Sequence, residues 1–335
     1  MTSPSQVRSL YVKSFVVPFQ NYKDQEYKVA LHRYTKTPDA PNTGDIFLFT
    51  HAITAHKEQW VPMLEHLWAN DDLNISEAWA YDSPNHGDSF HLNKEWIEKD
   101  MDSLSSAFTM IYAMRGVLKS GLLPVSESRK LIVVGHSAGT TAIVWNVVRC
   151  VEAKEPIPFS LAIIIEPTIL TTEVATKVTM RMKPFVQMRP WQWESKEEAK
   201  EFFDENLPWS RWDKAIREVY VDHGMLHKAE GTELKTPAAI EAACYPNAEA
   251  QAYARDHFYE FAEKVPAHII LGTRTDFIPK PVQDDFVKYV DGHVQSIQWV
   301  KSGHMLIQEN PKGCADAIRK ILESSAVSGV PKAKL

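Results

Sequence analysis

Long apolar runs are missing from this sequence of 335 residues. Its densest apolar patches, at residues 131–134 and 162–165, have the length of a strand. A membrane-spanning helix needs about 20 apolar residues. Residues 1–11 also lack the apolar core of a secretory signal. We therefore expect neither a membrane span nor a secretory signal.

Cysteine is scarce, and basic residues are not clustered. The three cysteines, Cys150, Cys244 and Cys314, are too scattered for a disulfide framework, and none lies in a C-x-x-C pair. A net charge of −6 without a block of Lys and Arg argues against nucleic acid as a partner. The hydrophobic fraction of 44% excludes general disorder and suffices for a large core.

Strand and helix patterns alternate over the first half of the chain. Strands are predicted at residues 10–17, 27–34, 45–50, 77–81, 131–134 and 161–165, and helices at 100–118 and 140–151. The first two strands alternate apolar and polar residues, as an antiparallel edge pair does. Strands separated by helices indicate an α/β fold with a mostly parallel sheet covered on both faces.

This alternation stops after the sixth predicted strand. The next 98 residues are helical in pattern, aromatic and charged, and strand patterns then return at 268–271 and 294–300, before a last helix at 315–324. We therefore expect a core formed by residues 1–167 and 266–325, a helical cap inserted at 168–265, and a flexible tail at 326–335.

The strongest chemical motif is Gly135-His136-Ser137-Ala138-Gly139, a G-x-S-x-G nucleophile elbow between a predicted buried strand and a helix. The turn needs glycine on both sides because a Cβ there would collide with neighbouring backbone. The motif predicts that Ser137 is a nucleophile above the sheet edge, at a helix N-terminus whose dipole favours an oxyanion.

A serine nucleophile needs a base, and His304 is the candidate. It follows the last predicted strand and precedes Glu309-Asn310-Pro311, so its imidazole is expected over the strand ends. The alternative is that His304, one of 13 histidines, is a structural residue.

Four further segments carry a family resemblance. They are Lys57-Glu58-x-Trp60-x-Pro62, Asn85-His86-Gly87-Asp88-Ser89, Ile165-Glu166-Pro167 and Leu234-Lys235-Thr236-Pro237. With the elbow and the His304 loop, they make the chain similar to the α/β-hydrolase superfamily over its whole length. More narrowly, it resembles the fungal peroxisomal serine hydrolases, a group with peroxisomal lipase, acyl-CoA hydrolases and toxin-biosynthesis hydrolases.

The resemblance implies an α/β-hydrolase fold, two-step acyl transfer by a Ser-His-acid triad, and no requirement for a cofactor or metal. It also implies an oxyanion hole formed by the backbone N–H groups of Ala138 and Ile53. Most relatives have glycine where this chain has Ala52, which still leaves the N–H free.

Two carboxylates are candidates for the acid of the triad. Glu166 ends the sixth predicted strand, and Pro167 predicts an extended backbone that keeps the carboxylate at the strand edge. Asp276 lies in the loop that carries the acid in most of the superfamily, one residue later than usual. We favour Glu166, because a shift of one residue normally turns a side chain away. Either group can instead be a loop-capping carboxylate.

Two other clusters have alternative interpretations. Asp82, His86 and Asp88 can be metal ligands or, as we prefer, part of a loop that orders the floor of the pocket. Lys177, Arg181, Lys183 and Arg189 can bind the phosphates of a CoA-type substrate, or can form a solvated helix face, which is the commoner outcome.

The function predicted is that of a serine hydrolase cleaving an acyl-CoA or a lipophilic ester, in fungal lipid or secondary (toxin) metabolism. A lactonase or a carbon–carbon bond hydrolase with the same triad is the alternative. A non-catalytic ligand-binding protein is a third hypothesis. The serine disfavours dehalogenases and epoxide hydrolases, which need an aspartate at the elbow.

The sequence ends in Ala333-Lys334-Leu335, a close variant of the S-K-L peroxisomal signal. These three residues predict binding to the peroxisomal import receptor. The expected location is the peroxisomal matrix, or the cytoplasm if the tail is not read.

Overall fold

The structure, a computed structural model, describes residues 5–21, 24–39, 43–70, 72–99, 106–245 and 248–327. The strands of these segments are β1 (Ser5–Val7), β2 (Leu10–Gln20), β3 (Glu26–Thr35), β4 (Asp45–Thr50), β5 (Ile75–Tyr81), β6 (Leu131–His136), β7 (Phe159–Ile165), β8 (Gln192–Trp193), β9 (Met225–Lys228), β10 (Gly231–Leu234), β11 (Ala267–Gly272) and β12 (Ser296–Val300).

The helices of the same segments connect and cover these strands. They are α1 (Val61–Leu67), α2 (Gly87–Lys99), α3 (Ser106–Lys119), α4 (Ala138–Glu152), α5 (Thr172–Met188), α6 (Lys196–Glu205), α7 (Lys214–His223), α8 (Ala238–Ala243), α9 (Ala248–Asp256), α10 (Phe258–Lys264), α11 (Lys280–Val290), α12 (Leu306–Glu309) and α13 (Pro311–Val327). Among the residues described, no helix has both the length and the apolar character needed to cross a bilayer.

Nine strands form one sheet in the order β1-β2-β3-β5-β4-β6-β7-β11-β12. From β5 to β12 the neighbours pair in parallel, whereas β1, β2 and β3 add antiparallel strands at one edge. The predicted parallel sheet with an antiparallel edge pair is therefore confirmed. The short strand β1 was not predicted, so the strand that ends before Glu166 is the seventh and not the sixth.

Both faces of the sheet are covered, and β6 shows how its sequence achieves this. Leu131 and Val133 point to one face and join the apolar core that contains residues of α3 and α4. Ile132 and Val134 point to the other face, where residues of α1 and α13 complete a second core. Successive side chains of a strand alternate between faces, so an unbroken apolar run is what a strand covered on both sides requires.

The segment between β7 and β11 contains helices α5 to α10 and has an aromatic core of its own. Trp193, Phe203, Trp209, Trp212 and Tyr220 are buried together there. The prediction of a helical cap did not include the small antiparallel sheet that β8, β10 and β9 form within this segment. These strands have two to four residues, too few to show the alternation that identifies a strand in a sequence.

The prediction of one helix at 100–118 was also incomplete. Helix α3 covers most of that stretch, but α2 precedes it and was missed. Residues 100–105 lie outside the described part of the chain, as does the predicted signal Ala333-Lys334-Leu335.

The parallel strands direct several loops to the same side of the molecule. The chain leaves β4, β6, β7, β11 and β12 at the carboxyl edge of the sheet, which is where α/β folds place their ligand sites. All five of these loops supply side chains considered next.

Candidate active site

Ser137 occupies a strained turn between β6 and α4. Its backbone φ is +53°, a value that non-glycine residues rarely adopt. A Cβ added to Gly139 would lie 2.5 Å from the carbonyl oxygen of Thr50, and one added to Gly135 would lie 2.6 Å from the Ile143 side chain. The two glycines of the motif therefore allow α4 to approach the sheet closely and hold the serine at the head of the turn.

His304 lies against Ser137 in the loop after β12. Its Nε2 is 3.0 Å from the Ser137 Oγ, and both residues are buried. The imidazole stacks on the ring of Phe277, with 4.0 Å between the ring centroids. His136 Nε2 donates to the His304 carbonyl oxygen at 2.8 Å, and burial lowers the pKa of His136 to about 3. His136 is thus a neutral donor that helps to fix the loop.

Glu166 is the carboxylate that contacts the imidazole. Its Oε2 lies 3.1 Å from His304 Nδ1, and its Oε1 accepts the backbone N–H of Gly272 at 2.5 Å. The predicted extended backbone was wrong, because φ of Glu166 is +46°. The Glu166 N–H still bonds to the Ile270 carbonyl at 2.9 Å, and the chain turns sharply only after this last sheet bond. Ser137 Oγ, the imidazole and this carboxylate form one continuous hydrogen-bonded chain.

Asp276, the other candidate acid, contacts the backbone of the same loop instead. Its Oδ1 accepts the His304 N–H at 3.0 Å, and its Oδ2 accepts from Arg274 Nε at 3.0 Å. Burial alone would raise the pKa of Asp276, but the His304 N–H and the Arg274 guanidinium hold it below its usual value. Arg274 also pairs with Glu309, which accepts the N–H of Gly303 at 2.9 Å. This cluster fixes the loop, and its arrangement was not apparent from the sequence.

Ala138 and Ile53, whose backbone N–H groups are expected to form an oxyanion hole, line the same cavity as Ser137. Ala138 is the first residue of α4, so its N–H has no acceptor within the helix. Within the described segments, no hydrogen-bond acceptor is assigned to the N–H of Ile53. The next residue, Thr54, has a φ of +72° and donates its N–H to His86 Nε2 at 3.2 Å.

Two neutral histidines order the loop that carries Ile53. His51 Nε2 accepts the Ser83 N–H at 2.8 Å, while its Nδ1 donates to the Ala52 carbonyl at 2.7 Å. His86 accepts from Thr54, as described, and its Nδ1 donates to Asn85 Oδ1 at 2.8 Å. Burial lowers the pKa of both histidines, so each keeps one nitrogen as an acceptor. The preferred interpretation of the Asn85-His86 stretch as an ordering loop agrees with these bonds.

An ammonium group occupies the place where a metal was considered. The fully buried Lys57 Nζ lies 2.8 Å from Asp82 Oδ2, 2.6 Å from Asp88 Oδ2 and 2.9 Å from Glu58 Oε1. Burial alone would lower the pKa of Lys57, but the three carboxylates outweigh it and raise that pKa. Glu58 and Asp88 also lie near His32 in a geometry that a metal could use, yet the lysine ammonium already pairs with both.

A cavity of about 490 Å³ opens in front of Ser137. Its lining is mostly apolar and comes from both the sheet loops and the segment between β7 and β11, with Ile53, Val178, Met182, Phe185, Trp209 and Phe277 among the residues. Two of the four basic residues considered as phosphate ligands have carboxylate partners: Lys177 pairs with Glu173, and the buried Arg189 pairs with Glu241. Arg181 lines the cavity, as does Arg211, which sequence reasoning missed.

Comparison with known proteins relates this geometry to a family. A family model described as "Alpha/beta hydrolase family" matches residues 47–317. No curated protein sequence matches the chain. In fold the chain is similar to the peroxisomal alpha-beta-hydrolase Lpx1 from Saccharomyces cerevisiae, at 18% identity and a TM-score of 0.73, over 98% of this chain and 93% of that one. The family match and the shared fold confirm the predicted resemblance to the α/β-hydrolase superfamily.

Two further solved structures share the fold. The chain is similar to E-2-(acetamidomethylene)succinate hydrolase at 15% identity and a TM-score of 0.65, over 93% of this chain and 100% of that one. It is also similar to a thioesterase domain from the curacin biosynthetic pathway at 14% identity and a TM-score of 0.64, over 92% and 99% of the two chains. Identities this low show a shared fold and do not transfer a substrate.

Replacing the buried ammonium should unfold the protein more easily. We expect Lys57→Met to lower the free energy of unfolding by about 3–5 kcal/mol, because it leaves buried carboxylates without a counter-charge. Urea denaturation at neutral pH measures the loss. The matched control is Lys312→Met, which removes an exposed pair with Asp316 and should cost about 1 kcal/mol or less. Equal losses in the two variants would contradict the role given to Lys57.

Proposed function

Because the chain belongs to the alpha/beta hydrolase family, we propose that it is a serine hydrolase that cleaves an ester or thioester by two-step acyl transfer. The observation that carries the proposal is the chain of contacts from Ser137 Oγ through the His304 imidazole to the Glu166 carboxylate. A nucleophile, a base and a group that orients the base are the parts that this chemistry needs.

In the first step, the Ser137 Oγ attacks the carbonyl carbon while His304 Nε2 takes the hydroxyl proton. The carbonyl oxygen becomes an oxyanion, which the N–H groups of Ala138 and Ile53 stabilise. His304 then gives the proton to the departing alcohol or thiol as its bond to the carbonyl carbon breaks, leaving an acyl group on Ser137. Glu166 stabilises the imidazolium while it exists.

In the second step, a water molecule attacks the acyl group, and His304 takes a proton from this water. The bond to Ser137 Oγ breaks, and the proton returns to the serine as the carboxylic acid leaves. Glu166 keeps the imidazole oriented through both steps because the Gly272 N–H holds its other oxygen. Asp276 does not contact the imidazole and acts as a positioning residue, because it accepts the backbone N–H of His304.

The cavity supports a hydrophobic acyl group as the part of the substrate that lies next to Ser137. Val178, Met182 and Phe185 form an apolar wall, and a volume of about 490 Å³ is within the range of small-molecule sites. We therefore propose an acyl-CoA or a lipophilic ester as the substrate. The lactonase and ligand-binding alternatives predict different results in the next experiment.

A substrate panel tests the proposal directly. The purified protein should hydrolyse acyl-CoAs or lipophilic aryl esters, and Ser137→Ala should lower the rate by about a thousandfold or more. The panel includes lactones and measures product release for each compound. Serine-dependent turnover of lactones alone would replace the ester proposal with the lactonase alternative. Absence of turnover, together with absence of labelling by a fluorophosphonate, would favour the ligand-binding protein.

The two carboxylates should differ sharply when each is neutralised. We expect Glu166→Gln to lower kcat/KM by about a thousandfold or more, because the imidazolium loses its counter-charge and its tautomer is no longer fixed. Asp276→Asn keeps an oxygen that can accept the His304 N–H, so its kcat/KM should stay within about tenfold of the wild type. The reverse order of effects would assign the acid to Asp276. Thermal unfolding of both variants shows whether each remains folded.

We also propose a peroxisomal location. It is supported by the terminal tripeptide and by the similarity in fold to the peroxisomal hydrolase Lpx1 of yeast. Deleting Ala333, Lys334 and Leu335 should leave kcat/KM unchanged and move an N-terminally fluorescent fusion from peroxisomes to the cytosol of fungal cells. Lys332→Ala, just outside the tripeptide, is the matched control and should still enter peroxisomes. Import of the truncated protein would show that the tail is not the signal.

A further inference from the structure

Large apolar side chains are exposed in the segment that contributes Phe185 and Leu207 to the cavity. Five of them fall between residues 180 and 207: Met180, Phe185, Met188, Trp191 and Leu207. No other stretch of that length within the described residues holds more than two. Phe185 and Leu207 also line the cavity, so two of the five belong to its wall. We call these five residues the apolar rim.

The helix α5 presents part of this rim outward. Met180 and Met188 are eight residues apart, and their exposed fractions are 72% and 78%. At about 100° per residue, positions four and eight residues apart stay on one side of a helix. The opposite side buries Ala175 and Val186. Phe185 lies between the exposed and buried sides and faces the cavity, so the exposed methionines flank its opening.

Positive charge accompanies the apolar rim. Arg181 of α5 and Arg211 are exposed at the cavity entrance, and neither has a carboxylate partner among the described residues. Two acidic residues also line the entrance, but Asp276 and Glu309 are both engaged by Arg274. The three arginines therefore exceed these two carboxylates by one charge, although the chain as a whole carries a net charge of −6.

We propose that the apolar rim docks this protein on an anionic phospholipid surface, with the cavity opening toward the acyl chains. Exposed apolar side chains accompanied by cations are the pattern by which amphipathic segments bind anionic lipid interfaces. A second copy of the chain is a poorer partner, since a symmetric interface would place the unpaired arginines of both copies against each other. Docking itself is independent of the proposed hydrolysis, but its use in supplying substrate rests on that function.

Vesicle binding tests the proposal. The full chain carrying Ser137→Ala, chosen to exclude lipid hydrolysis, is sedimented with vesicles of phosphatidylcholine alone or mixed with phosphatidylglycerol. The test variant adds Met180→Ser and Met188→Ser, neither of which lines the cavity. The matched control instead adds Val16→Ser and Trp299→Ser, two exposed apolar residues on β2 and β12.

We expect binding to the anionic vesicles, weakened by salt and reduced by about tenfold or more in the methionine variant but not in the control. Unchanged binding by the methionine variant, or no binding by the parent chain, would overturn the proposal. Equal binding to both vesicle types would overturn the anionic assignment. Light scattering of the same proteins tests for a dimer. If the parent chain forms a dimer but does not bind vesicles, and the methionine variant is a monomer, the occupant of the rim is a second copy of the chain.

A soluble short-chain ester separates this proposal from the proposed function. With Ser137 restored, the methionine variant should hydrolyse such an ester at the wild-type rate, because the cavity and the Ser137–His304 contact are unaltered. Loss of vesicle binding with this rate intact supports docking. If the chain binds vesicles normally but hydrolyses no ester, docking is supported and only the proposed hydrolase function is contradicted.

Discussion

The buried ammonium of Lys57 is the interaction on which the loops of the site depend. Its charge is shared by Asp82 and Asp88 from the region after β5 and by Glu58 from its own turn. Asp88 in turn pairs with Lys235, which belongs to the segment between β7 and β11. Because an unpaired charge in this position is so unfavourable, the loops and the inserted segment are held in one arrangement. The histidine network that orders the Ile53 loop begins beside this cluster.

Two residues of the proposed triad are held by strained backbone. Ser137 and Glu166 both have positive φ values, and each follows directly on one of two neighbouring parallel strands. Such a conformation costs about 1–3 kcal/mol at a non-glycine residue and persists only where the surroundings impose it. Here the sheet supplies the support: Ser137 N–H bonds to the Ile165 carbonyl at 3.0 Å, and Glu166 N–H to that of Ile270 at 2.9 Å. The two side chains are thus oriented before any ligand arrives.

The parts of this architecture that depend on local pattern could be predicted from the sequence. Apolar runs such as 131–134 and the glycines around Ser137 indicate a buried strand and a tight turn without reference to distant residues. The order of elements was enough to bring His304 to the same edge. The choice between Glu166 and Asp276 depends on which loop turns inward, and the positive φ of Glu166 arises from sheet contacts that no local pattern reveals. The small sheet of β8, β9 and β10 was missed because strands so short have no measurable period.

The different contacts of Glu166 and Asp276 bear on how such sites change during evolution. Asp276 is already bonded to the chain at His304, but it reaches the main chain and not the ring. A Cβ at Gly303 would lie 2.1 Å from the Asp276 Oδ2, so the loop around His304 packs tightly against this carboxylate. Transfer of the role proposed for Glu166 to the loop after β11 would therefore require a different register of that loop and another acceptor for the His304 N–H. Such a transfer is a coordinated change and not a single exchange of side chains.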